Sequence, residues 1–365
     1  MSKVTLNLPV NAVSLGFVGY QLLRQFEKNG VDFDFSPIGN QLDFSSFNKA
    51  PNEFIQKMTH KAQNFHSTYS RNNPCFRLWH INGSESSIGN GSHLLTFHEL
   101  DALTPTEVNI LNNQTQVFVT SEESKQVFED YGVKVPVTFV PLGYDTEHFY
   151  RTNKKYLGND LTVFLIHGKV EKRKATERAI KGWAAKFGNN PKYRLHAQIF
   201  NPFFTPEQNN QVINQILGGK QYDNINFFSY FKTLGELNDL YNASDIVIDL
   251  SNGEGHSLPS YHTVGLGKHA IIHNNTGMKG WATKENAVLI ESTGKQPAAD
   301  GVFFAQDGPF NIGNIYDFSQ EDYLAALDEV VKRKVQNKVN ITGLELPEKF
   351  TWENTFKIIK EKMGI

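Results

Sequence analysis

Apolar segments alternate with amphipathic helical segments through the second half of the chain, and this alternation limits the fold more than any other sequence feature. The predicted strands of this half cover residues 161–166, 193–199, 225–228, 245–249 and 270–273, and the predicted helices cover 175–187, 206–217 and 234–242. Strands separated by helices of this length form parallel sheets with right-handed crossover connections. The sequence therefore predicts an α/β fold for this half.

The first half of the chain shows the same alternation. Its predicted strands cover residues 4–10, 31–35, 77–81, 94–97, 117–120 and 137–140, and its predicted helices begin near residues 14, 51 and 122. A chain of 365 residues exceeds a comfortable single core, and the polar stretch at 151–159 has the composition of a linker. We therefore predict two Rossmann-like, doubly wound domains that face each other across a cleft. The predicted units are an N-terminal domain at 1–157, a C-terminal domain at 158–345 and a final amphipathic helix at 346–365 that packs at the domain junction.

Bulk composition excludes several classes of protein. A net charge of −2 provides no global basic field, so charge alone does not predict nonspecific binding to nucleic acid. The single cysteine, Cys75, excludes an internal disulfide framework and suits a reducing compartment. No stretch approaches the ~20 apolar residues of a membrane span, and the first ten residues lack the apolar core of a signal peptide. We expect a soluble, cytoplasmic protein.

The segment 249–272 combines a glycine-rich turn with a helix start. The apolar run Ile246–Ile248 ends in this turn, and a helical pattern resumes near Pro259. Free backbone N–H groups and the positive end of a helix dipole suit a phosphate at such a turn. Glu254 lies in the same turn, and a carboxylate there is reasonable if it binds a neutral, hydroxyl-rich group attached to the phosphate. A sugar nucleotide fits that description.

A second segment, Gly168–Lys174, places four cations within six residues directly after a predicted strand. One interpretation is a solvated helix start, as most runs of charge are. However, cations at the amino end of a helix oppose its dipole by a few tenths of a kcal/mol each. This cost favours the second interpretation, in which a bound phosphate compensates the charge.

Two features of the first half leave alternatives open. Gly16 and Gly19 begin a predicted helix, where they permit either close approach of a ligand or simple packing of the helix. His98 directly follows a predicted strand, at the edge where open α/β sheets bind ligands. It either faces the cleft or belongs to a cluster in which Asp101 or Thr104 caps the next helix.

The pair Asp32 and Asp34 has the D-x-D spacing of some metal sites. Alternation of side chains on a short strand explains this spacing better. We predict no metal site.

The order and placement of these segments resemble those of a known family. The retaining, family 4-like nucleotide-sugar glycosyltransferases of the GT-B fold (glycosyl transferases group 1) have a G-R-x-x-x-x-K-G stretch, which here reads Gly168-Lys169 and Lys174-Ala175. Their E-G-F-G-L-P-x-x-E loop reads Glu254-Gly-His-Ser-Leu-Pro-Ser-Tyr-His262. Weaker matches are Ser14–Tyr20, Thr96–Glu99, Val140–Asp145, Leu240–Asp245 and Phe350–Trp352. The chain is similar to a divergent member over nearly its whole length.

This resemblance implies a role for individual residues. Glu254, His98 and Lys174 would be catalytic: Glu254 would bind hydroxyls of the donor sugar, His98 would lie near the reaction centre, and Lys174 would hold the diphosphate. The implied donor-binding residues are Lys169 and Arg173 at the diphosphate, Gly16 and the amides of Ser257 and Leu258 at the phosphates, and His262. The family has a glutamate that binds the nucleotide ribose where this chain has His262, and an arginine where it has Lys169.

The predicted function is transfer of a sugar from a nucleotide diphosphate to a hydroxyl acceptor in an acceptor-side first domain, with retention and without metal or cofactor. The acceptor stays open between a saccharide, a lipid-linked sugar and a modified DNA base. One alternative is a glycosyltransferase acting on hydroxymethylpyrimidines in DNA. Another is a catalytically inactive nucleotide-sugar-binding protein, which the change at His262 favours. A dehydrogenase is less favoured because neither half carries the full dinucleotide-binding fingerprint.

Overall fold

The computed structural model describes residues 3–39, 42–154, 156, 161–201, 204–301 and 303–365. The predicted domain boundary between residues 157 and 158, and residues 155 and 157–159 of the predicted linker, lie outside the described residues. The boundaries of the predicted domains therefore stay a prediction, and the architecture is defined by two separate sheets on either side of this gap.

The first half forms a six-stranded sheet in which every pair of neighbouring strands is parallel. The strands are β1 (Val4–Leu8), β2 (Phe33–Pro37), β3 (Cys75–Leu78), β4 (Ser92–Thr96), β5 (Gln116–Val119) and β6 (Val137–Phe139), in the order β2-β1-β3-β4-β5-β6. The connecting helices are α1 (Ser14–Lys28), α2 (Asn52–Gln63), α3 (Phe65–Thr68), α4 (Pro105–Asn112) and α5 (Glu122–Asp130). The α/β prediction for this half is confirmed.

Several predicted boundaries in the first half were shifted by two residues or more. The second strand begins at Phe33 rather than Val31, because Phe33 is the residue that pairs with Val4 at the start of β1. The third strand begins at Cys75, the partner of Thr5, and it ends before Trp79. These errors arise because the backbone ladder, not the local apolar pattern, defines where a strand starts.

The starts of α4 and α5 follow local capping chemistry. The Thr104 hydroxyl accepts a hydrogen bond from the Glu107 amide, and the Glu107 carboxylate accepts one from the Thr104 amide. This capping box settles which residue caps α4, and Asp101 is not the cap. Ser121 caps α5, as predicted.

The second half forms a seven-stranded sheet with one antiparallel edge pair. The strands are β7 (Thr162–His167), β8 (Tyr193–Gln198), β9 (Ile225–Phe227), β10 (Ile246–Asp249), β11 (His269–Asn274), β12 (Val288–Pro297) and β13 (Asn314–Phe318), in the order β13-β12-β11-β10-β7-β8-β9. The helices are α6 (Thr176–Phe187), α7 (Pro206–Leu217), α8 (Leu234–Asn242), α9 (Leu258–Gly265) and α10 (Gln320–Gln336). β12, β13 and α10 were not predicted. We call residues 288–301 and 303–318, which comprise β12, β13 and the described part of their connection, the hairpin insert.

The strand order places the two segments predicted to bind phosphate side by side. β7 and β10 are neighbours, and the chain leaves β7 toward β8 on one side and reaches β10 on the other. Such a reversal of strand order creates a crevice at the carboxyl ends of the strands, where α/β sheets bind ligands. The segments Gly168–Lys174 and Ser251–Ser257 both begin at this crevice.

The chain ends with two helices, α11 (Leu346–Lys349) and α12 (Trp352–Met363), and α12 returns to the first half. Tyr144 and Thr351 form a parallel β-bridge, and the rings of Phe26 in α1 and Phe356 in α12 pack edge to face at 4.9 Å. The predicted crossing back of the terminal helix is confirmed. No helix among the described residues is long and apolar enough to cross a membrane.

Gly143 is the contact point at which α12 docks. A Cβ atom added to Gly143 would lie 2.2 Å from the backbone nitrogen of Trp352, and such overpacking costs about 2 kcal/mol. We expect Gly143→Ala to lower the free energy of unfolding by about that amount in urea titrations. Gly280→Ala is the matched control, since a Cβ there meets no atom within 4 Å. Equal stability of the two variants would contradict the tight docking of α12.

Candidate active site

The loop after β10 is organised around the buried carboxylate of Asp249. Its Oδ1 atom accepts hydrogen bonds from the amide and the hydroxyl of Ser251 at 3.1 and 2.6 Å, and its Oδ2 atom accepts from the hydroxyls of Ser257 and Ser260. Burial acts to raise the pKa of Asp249, but the charge of Lys174 and these hydroxyls outweigh it and hold the pKa below its ordinary value. Asp249 is therefore an anion that fixes the path of the loop.

Ser257 begins α9 in a strained conformation. Its φ angle of 62° lies in the left-handed region, which serine rarely adopts. The hydroxyl of Ser257 is turned to Asp249 and does not cap the helix. The first amides of α9, including that of Leu258, have no acceptor within the helix. The predicted contact of the Ser257 and Leu258 amides with a phosphate needs such a helix start, and the contact itself stays a prediction.

The loop after β7 meets the β10 loop through Arg173. Its guanidinium Nη1 donates hydrogen bonds to the Gly253 carbonyl and to Oε1 of Glu254, each at 2.6 Å. Lys174 Nζ lies 2.6 Å from the same Glu254 oxygen. The structure thus brings three of the predicted site residues into direct contact.

Three carboxylates balance three cations at this point. The members of this ion cluster are Glu99, Glu171, Glu254, Lys169, Arg173 and Lys174. Glu171 lies 2.8 Å from Arg173 and 3.2 Å from Lys169, and Glu99 of the first half lies 3.8 Å from Arg173. Burial acts to lower the pKa of Arg173, but the three carboxylates outweigh this effect and raise the pKa above its ordinary value. A bound anion would have to exchange with these carboxylates for the cations.

Glu99 and Glu171 were not predicted as site residues. Glu171 lies in the cationic segment itself, and Glu99 directly follows the predicted histidine, so their positions were available in the sequence. Burial raises the pKa of Glu99. The charge of Arg173 partly offsets this rise, and the charge of Glu254 adds to it. Glu99 is the first-half member of the ion cluster, through its contact with Arg173.

His98 lies beside this cluster but is almost fully buried. Its ring packs edge to face on Phe128 at 5.2 Å, and its Nε2 atom has no hydrogen-bond partner among the described residues. Burial lowers the pKa of His98 to about 4, so the ring is neutral near pH 7. His98 and Glu99 also line a small cavity between the two halves. The predicted role of His98 at a reaction centre stays a prediction.

The β10 loop is seated directly on the first half. A Cβ atom added to Gly255 would lie 2.3 Å from the ring of Phe97, and one added to Gly253 would lie 2.6 Å from the Glu99 carbonyl oxygen. The Thr120 hydroxyl donates a hydrogen bond to the Gly255 carbonyl at 2.7 Å. Glycine at both positions therefore lets the loop of one sheet reach the strand ends of the other.

His262 lies in the wall of the cleft, one turn into α9. Its ring stacks on Phe149 with centroids 4.1 Å apart, and the Phe17 ring of α1 meets it edge-on at 5.5 Å. Its Nε2 atom has no partner among the described residues, and burial lowers its pKa to about 4. The position predicted to contact ribose is thus a neutral imidazole inside an aromatic cluster.

The same cleft contains polar residues that the sequence did not indicate. Nδ1 of His167, at the carboxyl end of β7, and the Tyr241 hydroxyl are 2.8 Å apart. Both residues line the cleft together with Gln198, at the end of β8. Their strand-end positions were the available signal, because ligand-facing side chains collect at that edge.

Gly16 and Gly19 are required by packing of the chain itself. A Cβ atom at Gly16 would lie 2.2 Å from the side-chain oxygen of Asn11, and one at Gly19 would lie 2.0 Å from the Pro9 carbonyl oxygen. Packing of α1 on the preceding loop therefore suffices to explain both glycines. Contact of Gly16 with a phosphate stays a prediction.

Candidate metal ligands do not cluster in the part of the chain that the structure describes. In the D-x-D pair of the first half, Asp34 is buried and its Oδ1 atom lies 2.7 Å from Lys3 Nζ. An ion pair thus accounts for Asp34.

Solved structures share this two-sheet arrangement over essentially the whole chain. A sucrose-phosphate synthase from Thermosynechococcus elongatus has 14% identity and a TM-score of 0.69, and the match covers 100% of this chain and 98% of that one. HepE from Anabaena, solved with UDP and glucose, has 11% identity, a TM-score of 0.64 and full coverage of both chains. An α,α-trehalose 6-phosphate synthase from Burkholderia multivorans has 8% identity and a TM-score of 0.64, with 100% and 98% covered.

No family model matches the sequence, and no curated protein matches it significantly. At these low identities the structural likeness establishes the fold. The chain has the GT-B fold, as predicted.

The buried neutral state of His262 predicts a pH-dependent stability. Its pKa falls from 6.5 in the unfolded chain to about 4 in the folded one, so the unfolded state binds the proton first. Stability present above pH 6.5 is therefore lost as the pH falls toward 4, by up to about 3 kcal/mol from this residue. We expect His262→Phe to reduce the fall in unfolding free energy between pH 7 and 4.5, measured in urea.

The exposed His60 of α2 supplies the matched control, His60→Phe. An unchanged pH dependence in His262→Phe would show that His262 does not resist protonation in the folded state.

Proposed function

We propose that the protein is a nucleotide-sugar-dependent glycosyltransferase that moves a sugar from a nucleotide diphosphate to a hydroxyl acceptor. The observation that carries this proposal is the contact of Glu254 with both Arg173 and Lys174 at the crevice between β7 and β10. Cations beside a helix start suit a diphosphate, and a carboxylate among them suits sugar hydroxyls.

The donor is proposed to lie along this crevice. Its diphosphate binds Lys169, Arg173 and Lys174, and the amides of Ser257 and Leu258 receive the distal phosphate. Glu254 then exchanges part of its contact with the cations for hydrogen bonds to the sugar. The HepE structures were solved with UDP and with UDP-glucose, which makes a UDP-sugar the first donor to test.

The transfer step breaks the bond between the anomeric carbon and the phosphate oxygen and forms a bond from that carbon to the acceptor oxygen. The acceptor's proton passes to the departing phosphate, so atoms and charge balance. Negative charge that grows on the leaving oxygen is stabilised by the three cations and the helix amides, which are already in place. This scheme follows the retaining, family 4-like mechanism that the motifs imply, and it requires no metal.

The nucleoside is proposed to occupy the cleft beside His262. His262, Tyr241 and Gln198 line this cleft, and the aromatic rings of Phe149 and Phe17 hold His262 in place. The free nitrogen of a neutral imidazole makes one hydrogen bond with a ribose hydroxyl, as donor or as acceptor. A carboxylate at this position would accept hydrogen bonds from both ribose hydroxyls. His98 would act near the sugar as a neutral hydrogen-bonding group.

Two alternatives remain distinct from this proposal. A DNA-base glycosyltransferase would use the same donor site with a modified pyrimidine as acceptor. A nonenzymatic nucleotide-sugar binder would retain the donor contacts and lack turnover.

A thermal-shift screen against nucleotide sugars tests the proposal first. A donor at one hundred times its dissociation constant raises the free energy of unfolding by about 2.7 kcal/mol, which is a clear shift. Stabilisation followed by slow donor hydrolysis supports the enzyme, whereas stabilisation with no cleavage of any donor supports the binder. No stabilisation by any nucleotide sugar rejects both.

Removal of Lys174 tests the diphosphate contacts. We expect Lys174→Ala to reduce transfer and donor hydrolysis by about a hundredfold to a thousandfold, because it removes one preorganised positive group at the leaving oxygen. Lys172→Ala is the matched control, since Lys172 lies two residues earlier and its side chain is exposed. Steady-state rates and melting temperatures of both variants separate loss of chemistry from loss of fold. Full activity in Lys174→Ala would contradict the assignment.

A further inference from the structure

The hairpin insert of the second half lies across the first half beside Glu99. We propose that Glu99 and the hairpin insert form the acceptor subsite, which takes one hydroxyl of an uncharged sugar whose ring lies on Phe303. This inference rests on the proposed function and adds the chemical class of the acceptor.

The hairpin insert is fastened to the first half by specific contacts. The Asn314 amide donates to Asp101 Oδ1 at 2.8 Å, and Lys295 Nζ lies 3.0 Å from Asp101 Oδ2. The Asn311 amide donates to the buried carboxylate of Glu107 at 3.0 Å. A small apolar cluster, Leu100, Ala298, Phe304 and Ile315, fills the space beneath. The insert is therefore held in a defined position over the loop that follows β4.

A small cavity remains between the insert and the first half. Its lining includes His80, His98 and Glu99 of the first half and Phe303 of the insert. Its volume of about 10 Å³ is close to the minimum that holds one water molecule. A single hydroxyl group fits such a space, while the remainder of an acceptor must lie outside.

The cavity adjoins the predicted reaction centre. Oε1 of Glu99 lies 3.8 Å from the Arg173 nitrogen that holds Glu254. A hydroxyl that donates a hydrogen bond to Glu99 is thus placed next to the residue proposed to bind the donor sugar. The buried Nε2 atom of His98, which has no partner among the described residues, is a second polar group in the lining.

An aromatic ring lies at the outer side of the cavity. Phe303 is 42% exposed, and its ring centroid lies 5.6 Å from that of His80. The flat ring of an exposed phenylalanine offers apolar area to the hydrogen-bearing face of a sugar ring. The insert thereby supplies an exposed aromatic surface beside the cavity.

The charge of the subsite disfavours a phosphorylated acceptor. Within the described residues, its lining contains one acidic residue, Glu99, and no lysine or arginine. The nearby cations Lys295 and Arg173 are bound to Asp101 and to carboxylates of the ion cluster. Burial lowers the pKa of His80 as well, which keeps this ring neutral near pH 7. A sugar phosphate or a DNA strand would bring negative charge to a site that does not compensate it.

The test measures binding of methyl α-glucopyranoside and of glucose 6-phosphate to the full chain by saturation-transfer NMR and calorimetry. We expect millimolar binding of the neutral glycoside and at least tenfold weaker binding of the phosphate. Phe303→Ala and Glu99→Gln should each weaken binding of the glycoside by about tenfold, with melting temperatures recorded for both. Tyr131→Ala, an exposed ring at the end of α5, is the matched control and should leave binding unchanged.

Several results would overturn this inference. One is binding of glucose 6-phosphate that is as tight as that of the glycoside, or tighter. Another is no binding of the glycoside up to 100 mM (roughly −1.4 kcal/mol). A third is glycoside binding that Phe303→Ala leaves unchanged, which would place the sugar elsewhere. Glucosylation of a duplex that contains hydroxymethylcytosine would also overturn it and favour the DNA-base alternative. Failure of the proposed function has a different signature, since it removes stabilisation by nucleotide sugars while these monosaccharide results stand.

Discussion

The ion pair between Arg173 and Glu254 is the interaction on which the candidate site depends. It joins the loop after β7 to the loop after β10, and through Glu99 it reaches the first half as well. A buried charge without a partner is costly, so each member constrains where the others lie. The same contacts orient the carboxylates and the cations of both loops. A donor bound as proposed would exchange partners with the members of the ion cluster.

Local patterns predicted the regular elements well. The helix Ser14–Lys28 has the predicted bounds because its periodicity is a local signal. The helix Leu234–Asn242 has them because a capping box at Thr233 is a local signal as well. The resemblance of two segments to a known family also assigned Glu254, Arg173 and Lys174 to one donor site. Their direct contacts were not predicted and come from the structure.

The hairpin insert and the contacts of Glu99 could not be derived in this way. The connection between β12 and β13 is irregular over its described residues and carries no periodic apolar pattern. Its position depends on partners in the first half, Asp101 and Glu107, that lie about two hundred residues away. Likewise, no pattern near Glu99 indicates that it faces Arg173. Such long-range pairing is set by how the two sheets meet, and a single sequence contains no direct record of it.

The docking of α12 on α1 has a consequence for how the protein is made. Phe26 and Phe356 are in contact although 329 residues separate them along the chain. During synthesis the first sheet can pair its strands early, but the face of α1 that packs on α12 stays uncovered until α12 has been made. The packing of the first half is therefore completed only after the second half has been synthesised.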